Sequence, residues 1–290
     1  MPPAGSDAPG AGPVVLVTDS TAYLPADLVS AHRIVVVPVQ VVIGGTSHDE
    51  GVGVSSQAVA DALRDWRPVT TSRPSPQAFL EAYRCAADSG ATGVVSVHLS
   101  ADMSGTLGSA ELAAREATLP VRVVDSKTLG MAMGFPVVTG AVVAAAGGSL
   151  ESVAYAVSAR CAASSAFFYV DTLEYLRRGG RIGAAAALLG SALSVKPLLQ
   201  MVDGRIGLLE KVRTSARAVA RLEEVAVERA GGLEVDVAVH HLSSPDKAAA
   251  LADRLHARIP RLRSLLVSEV GAVVGAHVGP GMLAVAVVPV

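Results

Sequence analysis

Val14-Val15-Leu16-Val17-Thr18-Asp19-Ser20-Thr21 is an apolar run that breaks directly into four polar residues. A continuous run without alternation suits a strand buried on both faces, as in a parallel sheet covered by helices. The pattern recurs. Residues 94–97 run into His98-Leu99-Ser100 and then Ser104-Gly105-Thr106, and residues 121–124 run into Asp125-Ser126-Lys127-Thr128. Between these runs the sequence predicts helices over 25–32, 56–65, 76–87, around 110–117, and over 131–146 and 150–162. A Val-rich strand region over 34–43 is interrupted at Pro38. Strands alternating with helices give a doubly wound, Rossmann-like α/β domain, assigned to 14–164.

Beyond it the pattern changes. Strands over 198–202 and 206–212 flank Asp203-Gly204, a two-residue hairpin signal. A strand over 167–170 and a short helix over 172–176 precede them. Helices over 215–230 and 245–259, strands over 235–240, 265–268 and 283–288, and a small helix near Ala272 follow. This order suits an α+β domain with a mixed or antiparallel sheet over 165–290. Residues 1–13, rich in Gly, Pro and Ala, read as a disordered tail without the basic start and apolar stretch of a signal peptide.

Two domains agree with a length of 290 residues, which exceeds what one core usually serves. Half the chain (51%) is hydrophobic but only 3% aromatic, so the cores are built from Ala, Val and Leu. A net charge of −2 supplies no global field for nucleic acid, although basic residues gather between Arg177 and Arg217. No apolar run reaches the roughly 20 residues of a membrane span, which leaves only transient membrane contact open. Two widely separated cysteines, Cys85 and Cys161, suit a reduced, cytoplasmic protein.

The strand ends collect hydroxyls, not paired carboxylates or His clusters. In open α/β sheets that rim lines the ligand crevice. Capping is the commoner role for any one Ser or Thr there, and Ser75 before Pro76 fits it fully. Ser104 differs, because Gly105 beside it lets a ligand approach backbone at a helix start. The sequence holds no P-loop, nucleophile elbow, or zinc-type spacing, and Gly105 to Gly108 is only a fragment of a dinucleotide fingerprint. No cofactor and no metal are expected. Two further stretches stand out: the basic loop Arg177-Arg178-Gly179-Gly180-Arg181, with Arg213 beyond it, and His277-Val278-Gly279-Pro280-Gly281. A solvated turn explains the first as well as a phosphate or acidic partner does, and a lone His is more often structural.

Taken in order, six stretches resemble the DegV family of fatty acid-binding proteins: Thr18-Asp19-Ser20; Thr71-Ser72-Arg73-Pro74-Ser75; Ser104-Gly105-Thr106 to Ser109-Ala110; Val124-Asp125-Ser126; Leu176 to Ile182 with Leu189-Gly190 to Lys196-Pro197; and His277 to Gly281. The resemblance implies one long-chain acid lying between two domains. Its carboxylate would be held by Thr71 and Ser104 with His277 nearby, and Ser72, Gly105, Thr106 and Gly279 belong to the same motifs. It further implies that the chain turns over nothing itself but presents the acid to a separate fatty acid kinase ATP-binding subunit, through Arg181 and Arg213. Arg73 stands where the family usually has Gln, and His48-Asp49 where it often has Tyr-Asp. Two alternatives stay open: a lipid sensor without a kinase, and an acyl hydrolase or transferase with Ser104 as nucleophile, His277 as base and Asp19 as its acid.

Overall fold

The computed structural model describes residues 12–188 and 196–290. The chain starts with β1 (Val14–Asp19), a 3-10 turn, α1 (Ala26–Ala31) and β2 (Val35–Val37). It continues through β3 (Gln40–Ile43), β4 (Thr46–Asp49), α2 (Ser56–Arg64), β5 (Val69–Ser72), α3 (Pro76–Asp88) and β6 (Gly93–His98). Then come α4 (Thr106–Glu116), β7 (Val121–Asp125), α5 (Met131–Ala145) and α6 (Leu150–Ala163). The parallel sheet has the order β2-β1-β6-β7, with every residue of β6 buried. Its two faces explain the unbroken apolar runs. Val17 and Val94 pack under Phe79, Tyr83 and Ala110 of α3 and α4, while Leu16, Val95 and Val97 pack under Met133, Val137 and Val157 of α5 and α6.

The region expected as one interrupted strand is two strands in two sheets. Pro38 cannot donate to a ladder, and past it the chain leaves the parallel sheet. β3 then pairs with β4 and β5 in a small antiparallel sheet that the sequence reading missed. Its signal was present. Gly44 and Gly45 both have positive φ and connect Ile43 to its partner Thr46, as a tight hairpin demands.

The second part begins with β8 (Ser165–Tyr169), α7 (Glu174–Arg178) and a 3-10 stretch (Gly183–Leu188). It continues through β9 (Lys196–Val202), β10 (Arg205–Val212), α8 (Ser215–Ala230), β11 (Val235–His241), α9 (Pro245–Arg258), β12 (Leu262–Glu269), α10 (Ala272–Val278) and β13 (Leu283–Pro289). These strands form a six-stranded mixed sheet, β10-β9-β8-β13-β11-β12, in which only β11 and β12 run parallel. The expected Asp203-Gly204 hairpin is present, with both residues at positive φ. α8 and α9 cover one face. The other face turns toward the first sheet, where Ala238, Ala286 and Val288 meet Met131, Ala132 and Phe135 of α5. Of the expected tail, residues 1–11 lie outside the described residues, as does 189–195 of the fifth motif.

A buried ionic cluster ties the halves together. Arg160 of α6 reaches Asp236 of β11, which also takes Arg263 and, at 2.5 Å, Ser264 Oγ. Burial alone would raise the Asp236 pKa, but these donors outweigh it and hold the carboxyl below its ordinary value. Removing one member leaves a buried charge unpaired. Asp236→Ala should therefore lower unfolding stability by about 3–5 kcal/mol, and adding Arg160→Met should restore a large part of it. Urea unfolding of both variants measures this, and an Asp236→Ala midpoint equal to wild type would contradict it.

Candidate functional site

A cavity of about 380 Å³ lies between the carboxyl rim of the parallel sheet and the inner face of the six-stranded sheet. Leu99, Met103 and Leu129 line it from the first half, and Phe168, Leu176, Met201, Ile206 and Met282 from the second. Neither lining group is closed without the other. The polar lining residues gather in two places.

The first place unites Thr71 and Ser72 from β5, Arg73 just after it, Ser104 and Gly105 ahead of α4, Arg181 after α7, and His277 from α10. Thr71 Oγ1 lies 2.9 Å from His277 Nε2, a contact between residues 206 apart in sequence. The other ring nitrogen, Nδ1, is buried without a partner. It faces Gly179, where a Cβ would stand 2.0 Å from Nδ1, so only glycine fits. Burial, reinforced by the Arg181 charge, pushes the His277 pKa down to about 4. The imidazole is therefore neutral at neutral pH. If the proton sits on Nε2, it is donated to Thr71, whose own hydroxyl proton is then free to face the cavity.

α10 owes its place to the first half. Its Val273 N–H donates to Glu50 Oε1 at 2.8 Å and its Val274 N–H to the Tyr23 hydroxyl at 3.2 Å. Glu50 also accepts from Ser20 at 2.5 Å and Tyr23 at 3.3 Å, and burial raises its pKa. Sequence reading had singled out neither Glu50 nor Tyr23. Both are distant in sequence from the helix they cap, so no local pattern marks them.

The second polar place is His240 with Tyr23. His240 Nε2 accepts from Met131 N–H at 3.1 Å, which puts its proton on Nδ1, 2.9 Å from Ser268 Oγ. Burial pushes its pKa down to about 4. All its polar atoms are engaged, so it shows the cavity only ring carbons.

Several expected site residues have other surroundings. Thr106 is fully buried and does not line the cavity; its hydroxyl is 2.8 Å from Ser104 Oγ, and its N–H donates to that same oxygen at 3.3 Å. Ser104 thus caps α4 as well as facing the cavity. Gly279 is absent from the lining and serves packing: at φ +75°, its Cβ would stand 2.1 Å from Tyr175. Arg181, expected on a partner surface, is half-buried in the cavity wall and donates to Met103 and Gly179 carbonyls at 3.1 and 2.5 Å. Arg213 is exposed at the end of β10, away from the cavity. Ala132 and Val137 of α5 pack in the cores on either side of that helix and do not line the cavity.

The Ser104–His277–Asp19 string that an acyl hydrolase needs is not assembled. His277 bonds Thr71, and Asp19 bonds His98 Nδ1 at 3.0 Å and Leu99 N–H at 3.0 Å. Among the described residues no group of three metal-ligating side chains occurs, and no helix is long and apolar enough to cross a membrane.

A family model described as "Uncharacterised protein, DegV family" matches residues 13–290. The chain belongs to the DegV family. A DegV domain-containing protein of Streptomyces coelicolor is 59% identical over 94% of this chain and 98% of its own length. Among solved structures, a DegV family protein from Thermus thermophilus, described for its fatty acid binding, superposes with a TM-score of 0.91. It is 33% identical and covers 96% of this chain and 100% of its own. DegV of Bacillus subtilis, a fatty acid-binding protein, gives 0.87 at 32% identity over 96% and 99%. The two-domain α/β architecture is that of these DegV structures.

In this DegV chain, His240 and His277 fold as neutral groups with pKa values near 4, against about 6.5 when unfolded. Between those values the unfolded chain holds more protons. Stability is therefore complete above about pH 6.5 and falls as pH drops toward 4, by up to about 1.4 kcal/mol per unit for each His. Urea midpoints should hold steady from pH 8 to 7 and decline from 6.5 to 5, less steeply in His240→Gln. A flat profile down to pH 5 would refute the buried neutral state.

Proposed function

We propose that this chain binds one long-chain fatty acid in the cavity, head toward Thr71, Ser104 and His277, tail along the apolar lining. The observation that carries the reading is the contrast between the cavity's two polar places. The inner one is fully engaged with itself, whereas the outer one keeps hydroxyls and cationic N–H groups facing the space with no carboxylate among them. Burying a carboxylate is costly unless it is hydrogen-bonded, and only the outer place offers donors. Burial of about 16 carbons gains roughly 12 kcal/mol gross at about 0.8 kcal/mol per methylene. Association costs of about 4–15 kcal/mol oppose it, so enclosure between the halves decides the affinity. The fatty acid binding described for the solved relatives from Thermus thermophilus and Bacillus subtilis supports the same reading.

In this proposal residues 14–164 and 165–290 act as two domains closing on the chain, in the cytoplasm and without a cofactor. The protein delivers the acid to a separate fatty acid kinase ATP-binding subunit and turns over no substrate itself. Thr71 and Ser104 suit that role, since they can hold the acid by hydrogen bonds without forming a covalent bond to it. Exposed Arg213 is the better candidate for partner contact, because Arg181 is committed to the cavity wall.

An organic extract of the purified protein should contain a long-chain fatty acid by mass spectrometry. Thr71→Val and Ser104→Ala should each weaken its binding by about 1–3 kcal/mol, through one acceptor left without a donor. No lipid in the extract and none bound on addition would end the reading. The delivery step predicts that an ATP-binding partner captured by the wild-type chain is lost with Arg213→Glu while fatty acid affinity is kept; capture of the same partner by both would remove Arg213 from the interface.

A further inference from the structure

Arg73 distinguishes the head end of this cavity from one built of neutral donors. It lines the space beside Thr71 and Ser104, and no Asp or Glu among the described residues lies within 4 Å of its guanidinium. Among the described residues no carboxylate lines the cavity. Its position is accommodated by the neighbouring loop: a Cβ on Gly105 would stand 2.5 Å from Arg73 Nη1 and 2.9 Å from its Cδ. Glycine there leaves the guanidinium room to approach the backbone closely. Arg181 also lines the cavity and keeps its charge, but its Nε and Nη1 are directed to backbone carbonyls, and His277 is neutral.

Resting on the fatty acid reading, we propose that Arg73 is the counter-ion of the bound head group and makes the cavity selective for free acids over uncharged acyl lipids. Hydroxyls serve a carboxylate, an ester or an alcohol alike, since each can accept from Thr71 or Ser104. A guanidinium separates them. It gains a charge-assisted bond with an ionised acid and none with an ester. The exposure of Arg73 keeps that gain moderate, because solvent screens it.

The test titrates the delipidated full chain with palmitate and, in parallel, with methyl palmitate, at low and high salt. Arg73→Gln should weaken palmitate binding about tenfold, leave the ester unchanged, and reduce the salt dependence of the acid. Arg73→Lys should keep most of the preference for the acid. Equal loss for acid and ester, or no loss for either, would overturn the role of Arg73 while leaving the fatty acid reading intact. Wild type that binds neither compound would end both.

Discussion

The first turn of α10 has backbone N–H groups that no helix can satisfy from within, and the first half of the chain supplies their acceptors. Glu50 takes Val273 N–H and the Tyr23 hydroxyl takes Val274 N–H. A seven-residue helix is marginal by itself, so these two contacts and its packing against α2 and β3 decide where it sits. His277 rides on its last turn and meets Thr71 of β5. Ser20 extends the same chain of bonds, accepting Val39 N–H at 3.0 Å while it donates to Glu50. Cavity wall, capping carboxylate and the His277 imidazole are thus one connected structure.

The two sheets are joined by polar contacts of a different kind on the other side of the cavity. Ser100, at the rim of the parallel sheet, donates to the Gly204 carbonyl at 2.7 Å, and Asp102 pairs with Arg205. The β9–β10 hairpin tip is thereby pinned to the loop before α4. The Asp102–Arg205 pair is exposed and weak by itself, whereas the Ser100 bond and the Arg160–Asp236 pair are buried, the latter unforgiving of single loss.

The core architecture was legible because strands buried on both faces leave unbroken apolar runs, as at 14–17 and 94–97. The Asp203-Gly204 turn was legible because its backbone demands those residues. The small sheet was not: β4 and much of β5 are exposed and polar, so only Gly44-Gly45 hinted at them. Glu50 and Tyr23 left no local trace, since what they satisfy lies more than 220 residues away. Motif membership also overreached. Thr106 and Gly279 sit inside characteristic stretches, yet one is buried beneath the cap of α4 and the other clears space for Tyr175. Sequence spacing identifies which loops meet; it does not say which atoms of those loops face the cavity.

The same distinction governs the chemistry. Asp19, His98 and Ser96 form a string of hydrogen bonds at 3.0 and 2.7 Å, with Tyr83 donating to Ser96 at 2.8 Å. By bonding pattern alone it would pass for a nucleophile with its base and acid. All three residues of the string are fully buried, so no substrate reaches them, and their effect is to lock the ends of β1 and β6 at one height. Ser104, which does line the cavity, is hydrogen-bonded to Thr106 and, among the described residues, to no base. A hydroxyl without a base is a poor nucleophile but a sound hydrogen-bond donor. The rim therefore separates the two capacities: the activated arrangement is sealed inside as a strut, and the accessible hydroxyls are left able to hold a head group without attacking it.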